Sequence, residues 1–178
     1  VLPSDGFPAP AAGEFYFAAS GTCLVTTGKQ AYLGSGGGAA RIFHSRDFGQ
    51  TWDVTESTLP FGDAAGVFSL AFRTPYSGVA VGGDFLADTV GTDFAATTGD
   101  GVLWSGGADL GGYRSGVAFL QRHPRTAVAV GPTGTDLSHD GGRTWTTMDD
   151  DRYDAVQCTP DGACWASGPA GVVSRFVP

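Results

Sequence analysis

The side chains best placed to do chemistry in this chain are carboxylates set among hydroxyls and glycines. Ser45-Arg46-Asp47-Phe48-Gly49-Gln50-Thr51-Trp52 recurs as Ser138-His139-Asp140-Gly141-Gly142-Arg143-Thr144-Trp145, and both fit S-x-D-x-G-x-T-W. A carboxylate two residues after a hydroxyl suits capture of backbone N–H groups in a tight turn. Glycine supplies the positive φ of that turn, and tryptophan opens the next strand with a large ring to bury. Every position has a folding role, so Asp47 and Asp140 read as structural rather than catalytic.

The other constellations are thinner. His44, His123 and His139 are isolated, and neither H-x-x-x-H nor C-x-x-C occurs, so no metal centre is expected. Asp149-Asp150-Asp151 and the set Asp84, Asp88 and Asp93 read first as solvated turns and second as weak Ca²⁺ ligands. No G-x-S-x-G elbow is present. Gly34-Ser35-Gly36-Gly37-Gly38 lacks the Lys-Ser/Thr and the helix of a phosphate loop, and reads as a flexible hairpin turn. No cofactor and no catalytic residue are assigned. Cys158 and Cys164 flank a turn-forming Thr159-Pro160-Asp161-Gly162-Ala163, which sets them opposite each other on a hairpin. They are either a disulfide, implying an oxidising periplasmic or extracellular compartment, or two small buried hydrophobes. Cys23 has no evident partner.

The elements that position these residues follow from periodicity. Charged residues are 16% and glycines number 29 of 178, without a collagen-like period. No window sustains the i, i+3, i+4, i+7 apolar spacing of a long helix, and short apolar runs alternate with turn signals. Ser45 and Ser138 lie 93 positions apart, and half of that is one four-stranded blade. Midway, Thr98-Gly99-Asp100-Gly101-Val102-Leu103-Trp104 keeps hydroxyl, acid, glycine and tryptophan but is one residue short. Apolar runs ending at Gly34, Gly82, Gly131 and Gly168 repeat at spacings of 48, 49 and 37.

The expected fold is therefore all-β, a β-propeller of about four four-stranded antiparallel blades. Blades are placed at about 14–63, 64–111, 112–151 and 152–178, the first opening with a strand from Phe15 and the last lacking a fourth strand. The Pro-rich residues 1–13, with Leu2 and Phe7, are a candidate closing strand, although proline disfavours strands. The blades make either a small closed ring or part of a larger propeller, completed by further blades or by another chain.

The octets resemble the Asp-box (BNR) repeats of sialidases, sortilin-type ectodomains and photosystem II assembly-factor-like propellers. The S-x-D-G-G-x-T-W form after an A-V-G strand is most similar to the last group. The likeness covers residues 15–178 and implies a propeller of WD40/YVTN-like architecture, with Ser45, Asp47, Gly49 and Trp52, Thr98, Asp100, Gly101 and Trp104, and Ser138, Asp140, Gly142 and Trp145 as structural turns. Sialidase chemistry would need three converging arginines, a Tyr–Glu pair and an acid. Arg41, Arg73, Arg114, Arg122, Arg125 and Arg175 suffice in number, but Glu14 and Glu56 are the only glutamates and no R-I-P motif is present. A sialidase-like glycoside hydrolase, with residues missing from this chain, is thus the alternative reading.

The net charge of −8, with ten scattered basic residues, offers no stripe for nucleic acid, and no apolar span calls for membrane insertion. The longest insertion, Gly83 to Gly91, presents Asp84, Phe85 and Leu86 as a candidate binding loop, or as a loop tucked on the next blade. Arg122-His123-Pro124-Arg125 is the one cationic turn, either an anion contact or a soluble hairpin. The expected function is non-catalytic binding or scaffolding of a protein or carbohydrate partner.

Overall fold

The computed structural model describes residues 5–176. A short strand, β1 (Glu14–Phe15), precedes the first blade. That blade is β2 (Leu24–Thr27), β3 (Gln30–Gly34), β5 (Arg41–Ser45) and β6 (Asp53–Glu56), with β4 (Gly36–Gly37) in the link between β3 and β5. The second blade is β7 (Ala65–Phe72), β8 (Gly78–Asp84), β9 (Ala95–Thr98) and β10 (Trp104–Ala108). The third is β11 (Gly116–Phe119), β12 (Ala127–Gly131), β13 (Gly134–Ser138) and β14 (Thr146–Asp149). The fourth has three strands, β15 (Ala155–Cys158), β16 (Cys164–Ser167) and β17 (Val173–Phe176). Strands pair antiparallel with their neighbours within each blade, and the molecule is a four-blade β-propeller.

Sequence explains which strands sit inside. Strands β7, β8 and β12 carry near-continuous apolar or small runs and are buried on both faces, as a sheet sandwiched between others requires. The outer strands β6 and β14 are polar and largely exposed. Tyr32, Ile42, Val67, Leu70, Val79, Ala96, Val117 and Ala129 form one core across the first three blades. Leu120, Val128, Val130, Val156 and Cys164 form a second between the last two. Val25, Leu70, Val117 and Val156, from the four innermost strands, border a common central space of about 310 Å³.

Each blade packs on the next, and among the described residues no contact of similar extent joins the fourth to the first. The two flanks of this arc differ. On the first blade, Phe7 stacks on Phe43 at 4.9 Å and Tyr16 meets the same ring edge-on at 5.8 Å. On the fourth, Trp165 is 47% and Val173 65% exposed, on the face that also carries Arg175. Arg175 lies over the Trp165 ring at 5.6 Å.

Three expectations change. Residues 5–13 do not supply the outer strand of the fourth blade, since the Trp52 N–H donates to the Gly6 carbonyl and Phe7 packs on the first blade. Pro8 and Pro10 have no N–H for a ladder, while Phe43 offers Phe7 an apolar seat; residues 1–4 lie outside the described residues. The innermost strand of the first blade begins at Leu24, because Phe15 is taken by pairing with Gly36. Residues 34–37 are buried rather than a flexible hairpin. Gly36 pairs with Gly66, and a Cβ on Gly66 would lie 2.4 Å from the Gly36 Cα, so only glycine permits this approach of two backbones.

Candidate binding face at the loop end

In an antiparallel meander the first and third connections of a blade emerge at one end, and the second connections and inter-blade links at the other. The octets are third connections, so all three lie at one end, here the capped-turn end. They are tied to the first connections there: the Phe48 N–H donates to the Lys29 carbonyl and the Gly141 N–H to that of Arg125.

In the first octet, Asp47 Oδ1 accepts the Gln50 and Thr51 N–H groups at 3.0 and 2.9 Å, and Oδ2 accepts the Thr51 hydroxyl at 2.6 Å. The Ser45 hydroxyl accepts the Gly49 N–H at 2.8 Å, and Trp52 Nε1 donates to the Gly49 carbonyl at 3.0 Å. Asp140, Ser138, Gly142 and Trp145 repeat these bonds in the third blade. The Thr51 hydroxyl and N–H, with Ser45 and Gln50, hold the Asp47 carboxyl down to about 2. Burial pulls Asp140 the other way, but Thr144, Ser138 and the Arg143 N–H outweigh it and also hold it at about 2. In the second blade Asp100 Oδ1 accepts the Val102 and Leu103 N–H groups, but no threonine follows and Trp104 Nε1 is buried without a partner. Asp47 and Asp140 thus use both carboxylate oxygens on their own turns, whereas Asp100 uses Oδ1 alone.

The other end, the loop end, is built differently. Its centre is a cluster of Phe17, Phe68 and Tyr113. Phe17 stacks on Phe68 at 3.8 Å, Tyr113 meets Phe68 edge-on at 4.6 Å, and Phe15 meets Phe17 at 4.9 Å. Phe85 leans edge-on over Phe17 and Phe68 at 6.1 and 6.3 Å and stays 47% exposed, while the adjacent Leu86 is 79% exposed. The loop holding them is pinned. Asp84 Oδ1 accepts the Leu86 N–H at 2.8 Å, the Phe85 N–H donates to the Ala64 carbonyl, and the Tyr113 N–H donates to that of Asp88. Beneath it Arg114 and Asp136, both with fully buried side chains, pair at 2.8 Å. Arg114 also donates to the Tyr113 carbonyl and Thr133, and Asp136 accepts the Gly111 N–H and the Thr147 hydroxyl. The loop thus presents an apolar tip in a fixed conformation.

The candidate binding residues are therefore split. Asp84, Phe85 and Leu86 stand at the loop end, whereas Arg122 and Arg125 lie in the first connection of the third blade at the capped-turn end. That end has its own polar cleft of about 350 Å³, lined by Arg73, Thr98, Ser105, Asp140 and Arg143. The six arginines considered for carboxylate recognition do not converge: Arg41 pairs with Glu14, Arg114 is buried with Asp136, Arg73, Arg122 and Arg125 are at the far end, and Arg175 lies over Trp165 on the flank of the fourth blade. Glu14 is engaged as well; burial raises its pKa, but bonds from Arg41, Ser35 and the Ala11 N–H outweigh this and hold it low. Among the described residues no three His, Cys, Asp or Glu side chains stand close enough to hold a metal ion. Cys158 and Cys164 are cross-strand partners joined by a disulfide, and Cys23 is a buried free thiol whose pKa burial raises. Sequence reasoning missed the aromatic cluster; the one local signal was the alternation Phe15-x-Phe17.

No protein-family model matches the chain, and no curated protein matches it in sequence. Solved structures do. YCF48 bound to D1 peptide superposes with a TM-score of 0.59 at 18% identity, over 93% of this chain and 54% of that one. YCF48 from Cyanidioschyzon merolae gives 0.54 at 16%, over 93% and 52%. An ancestral GH74 enzyme gives 0.57 at 17%, over 82% of this chain and 21% of that enzyme. The chain thus spans about half the length of the YCF48 structures, and at these identities the likeness is one of fold: a β-propeller.

Proposed function

We propose that this chain is a non-catalytic binding or scaffolding segment of an Asp-box propeller, and that its loop end receives a protein partner. The observation that carries the reading is the pinned loop of the second blade, which holds Leu86 and half of Phe85 out of an aromatic cluster. An apolar tip that is already ordered loses little entropy on binding, so it is a better anchor than a mobile one. The likeness to YCF48, one of whose structures holds a D1 peptide, supports a peptide or protein ligand on this kind of scaffold. The disulfide supports a periplasmic or extracellular setting. Exposed Trp165 and Val173 support completion of the arc by further blades or another chain.

Glycoside hydrolysis is the second reading, favoured by the likeness to a GH74 enzyme. In its sialidase-like form it needs converging arginines, a Tyr–Glu pair and an acid; the pairing of Glu14 with Arg41 weighs against Glu14 in that role, so the remaining residues would lie outside this chain. The test is panning of the immobilised chain against a random peptide library. The account expects captured peptides to be lost with Phe85→Ser/Leu86→Ser and kept with Arg73→Ser/Arg143→Ser. The reverse pattern, or no capture, overturns it.

A further inference from the structure

Resting on that reading of the loop end, we propose that its partner is a cationic polypeptide segment whose apolar side chains seat against Phe85 and Leu86. The apolar part of the surface is Phe61, Phe85, Leu86 and Val90, all exposed and all in the links that meet around the second blade. The same links carry Asp63, Asp84, Asp88, Asp93 and Asp109. None of these five acids takes part in a salt bridge among the described residues. The Asp93 N–H donates to Asp109 Oδ1 at 3.0 Å, which ties together the two links that carry these acids.

The basic residues are elsewhere. Lys29, Arg46, Arg73, Arg122, Arg125 and Arg143 lie in the turns of the capped-turn end, and Arg175 lies on the flank of the fourth blade. Of the three at the loop end, Arg41 pairs with Glu14 and Arg114 is buried with Asp136, which leaves Arg152, in the link between the third and fourth blades. The chain's net charge of −8 is therefore concentrated at one end, around the exposed apolar tip. Such a field steers and retains a partner of opposite sign. The acids are spread rather than convergent, which suits a row of side-chain cations better than one metal ion. A neutral glycan could donate hydroxyls to them but would not be drawn by their net charge.

The test uses three short synthetic peptides of equal length, alternating leucine with lysine, serine or glutamate, titrated into the whole chain by fluorescence anisotropy. The lysine peptide is expected to bind about tenfold tighter than the serine peptide, and the preference to shrink as salt rises. Asp63→Asn/Asp93→Asn/Asp109→Asn should bring the lysine peptide to the level of the serine peptide; asparagine keeps the Asp109 acceptor and tolerates the left-handed backbone at Asp93. Phe85→Ser/Leu86→Ser should abolish both. Equal binding of the lysine and serine peptides, lost in Phe85→Ser/Leu86→Ser, overturns the cationic partner and leaves the loop end as the binding face. Binding indifferent to Phe85→Ser/Leu86→Ser, or no binding at all, overturns both.

Discussion

At the capped-turn end, each octet turns its carboxylate and hydroxyl inward onto its own backbone, and the chemistry is complete within eight residues. At the loop end, order comes from contacts between distant segments, and the apolar tip and the acids point outward. Asp140 illustrates the first: its carboxylate accepts two N–H groups and a hydroxyl within four residues. Asp88 illustrates the second: its carbonyl accepts the Tyr113 N–H, while no salt bridge engages its side chain among the described residues. On the proposed reading a repeated motif rich in polar residues is a poor guide to a binding site, because the repeat is what closes each blade. The unrepeated loop is what remains free to recognise something.

The sharpest test of this contrast is Arg114→Met. It leaves the Asp136 carboxylate buried without its partner, and should cost about 3–5 kcal/mol in urea unfolding. It should also loosen the loop above it, seen as faster amide exchange at residues 84–94. Unchanged exchange there would mean that the loop is held without the buried pair.

A smaller effect is expected at the opposite end. Gly142 has φ of +94°, and a Cβ there would lie 2.8 Å from Val79 Cγ2. Gly142→Ala should cost about 2 kcal/mol and leave partner affinity unchanged. A change in affinity larger than the change in stability would break the division between the two ends.

The pH dependence of stability reports on the capped-turn end, where His44 precedes the first octet and Asp47 and Asp140 lie in octet turns. Burial, aided by Arg46, holds the His44 pKa down to about 4, against 6.5 in the unfolded chain. Below 6.5 the unfolded chain takes up a proton that the folded one refuses, so stability falls as pH drops from 6.5 to 4. Asp47 and Asp140 stay ionised in the folded chain down to about 2, against 3.8 unfolded. Their contribution is full above about 4 and is lost as pH falls from 4 to 2. Two steps are expected in a pH series of urea midpoints, the upper one removed by His44→Gln and the lower one reduced by Asp140→Asn.

The smallest effect concerns one side chain. Phe48 sits at φ of +62° where the third octet has Gly141 at +87°, and its ring is exposed. Phe48→Gly relieves a left-handed residue but frees the unfolded chain, so a net gain of about 0.5 kcal/mol is expected. Destabilisation would show that the ring packs in solution.

The fold class was legible because its signal is local and repeats: hydroxyl, acid, glycine and tryptophan lie within eight residues, and apolar runs end in glycine at spacings of 48, 49 and 37. The proposed binding face was legible only at Asp84, Phe85 and Leu86. Phe17, Phe68 and Tyr113 meet because separate segments converge there, and no spacing along the chain encodes that meeting. For the same reason Arg122, Arg125 and Asp84 look alike in sequence, which shows turns but not the end of the blade at which each emerges. The glycines at 34–38 misled for a related reason. Glycine marks both a mobile turn and a place where two backbones touch, and only the partner, Gly66, tells them apart.

The most direct measurement is amide hydrogen exchange of the whole chain with and without a captured peptide. The account predicts added protection over residues 84–94 and 109–113, with residues 47–52 and 140–145 unchanged. Protection confined to the octet turns, with the loop of the second blade unaffected, would contradict it.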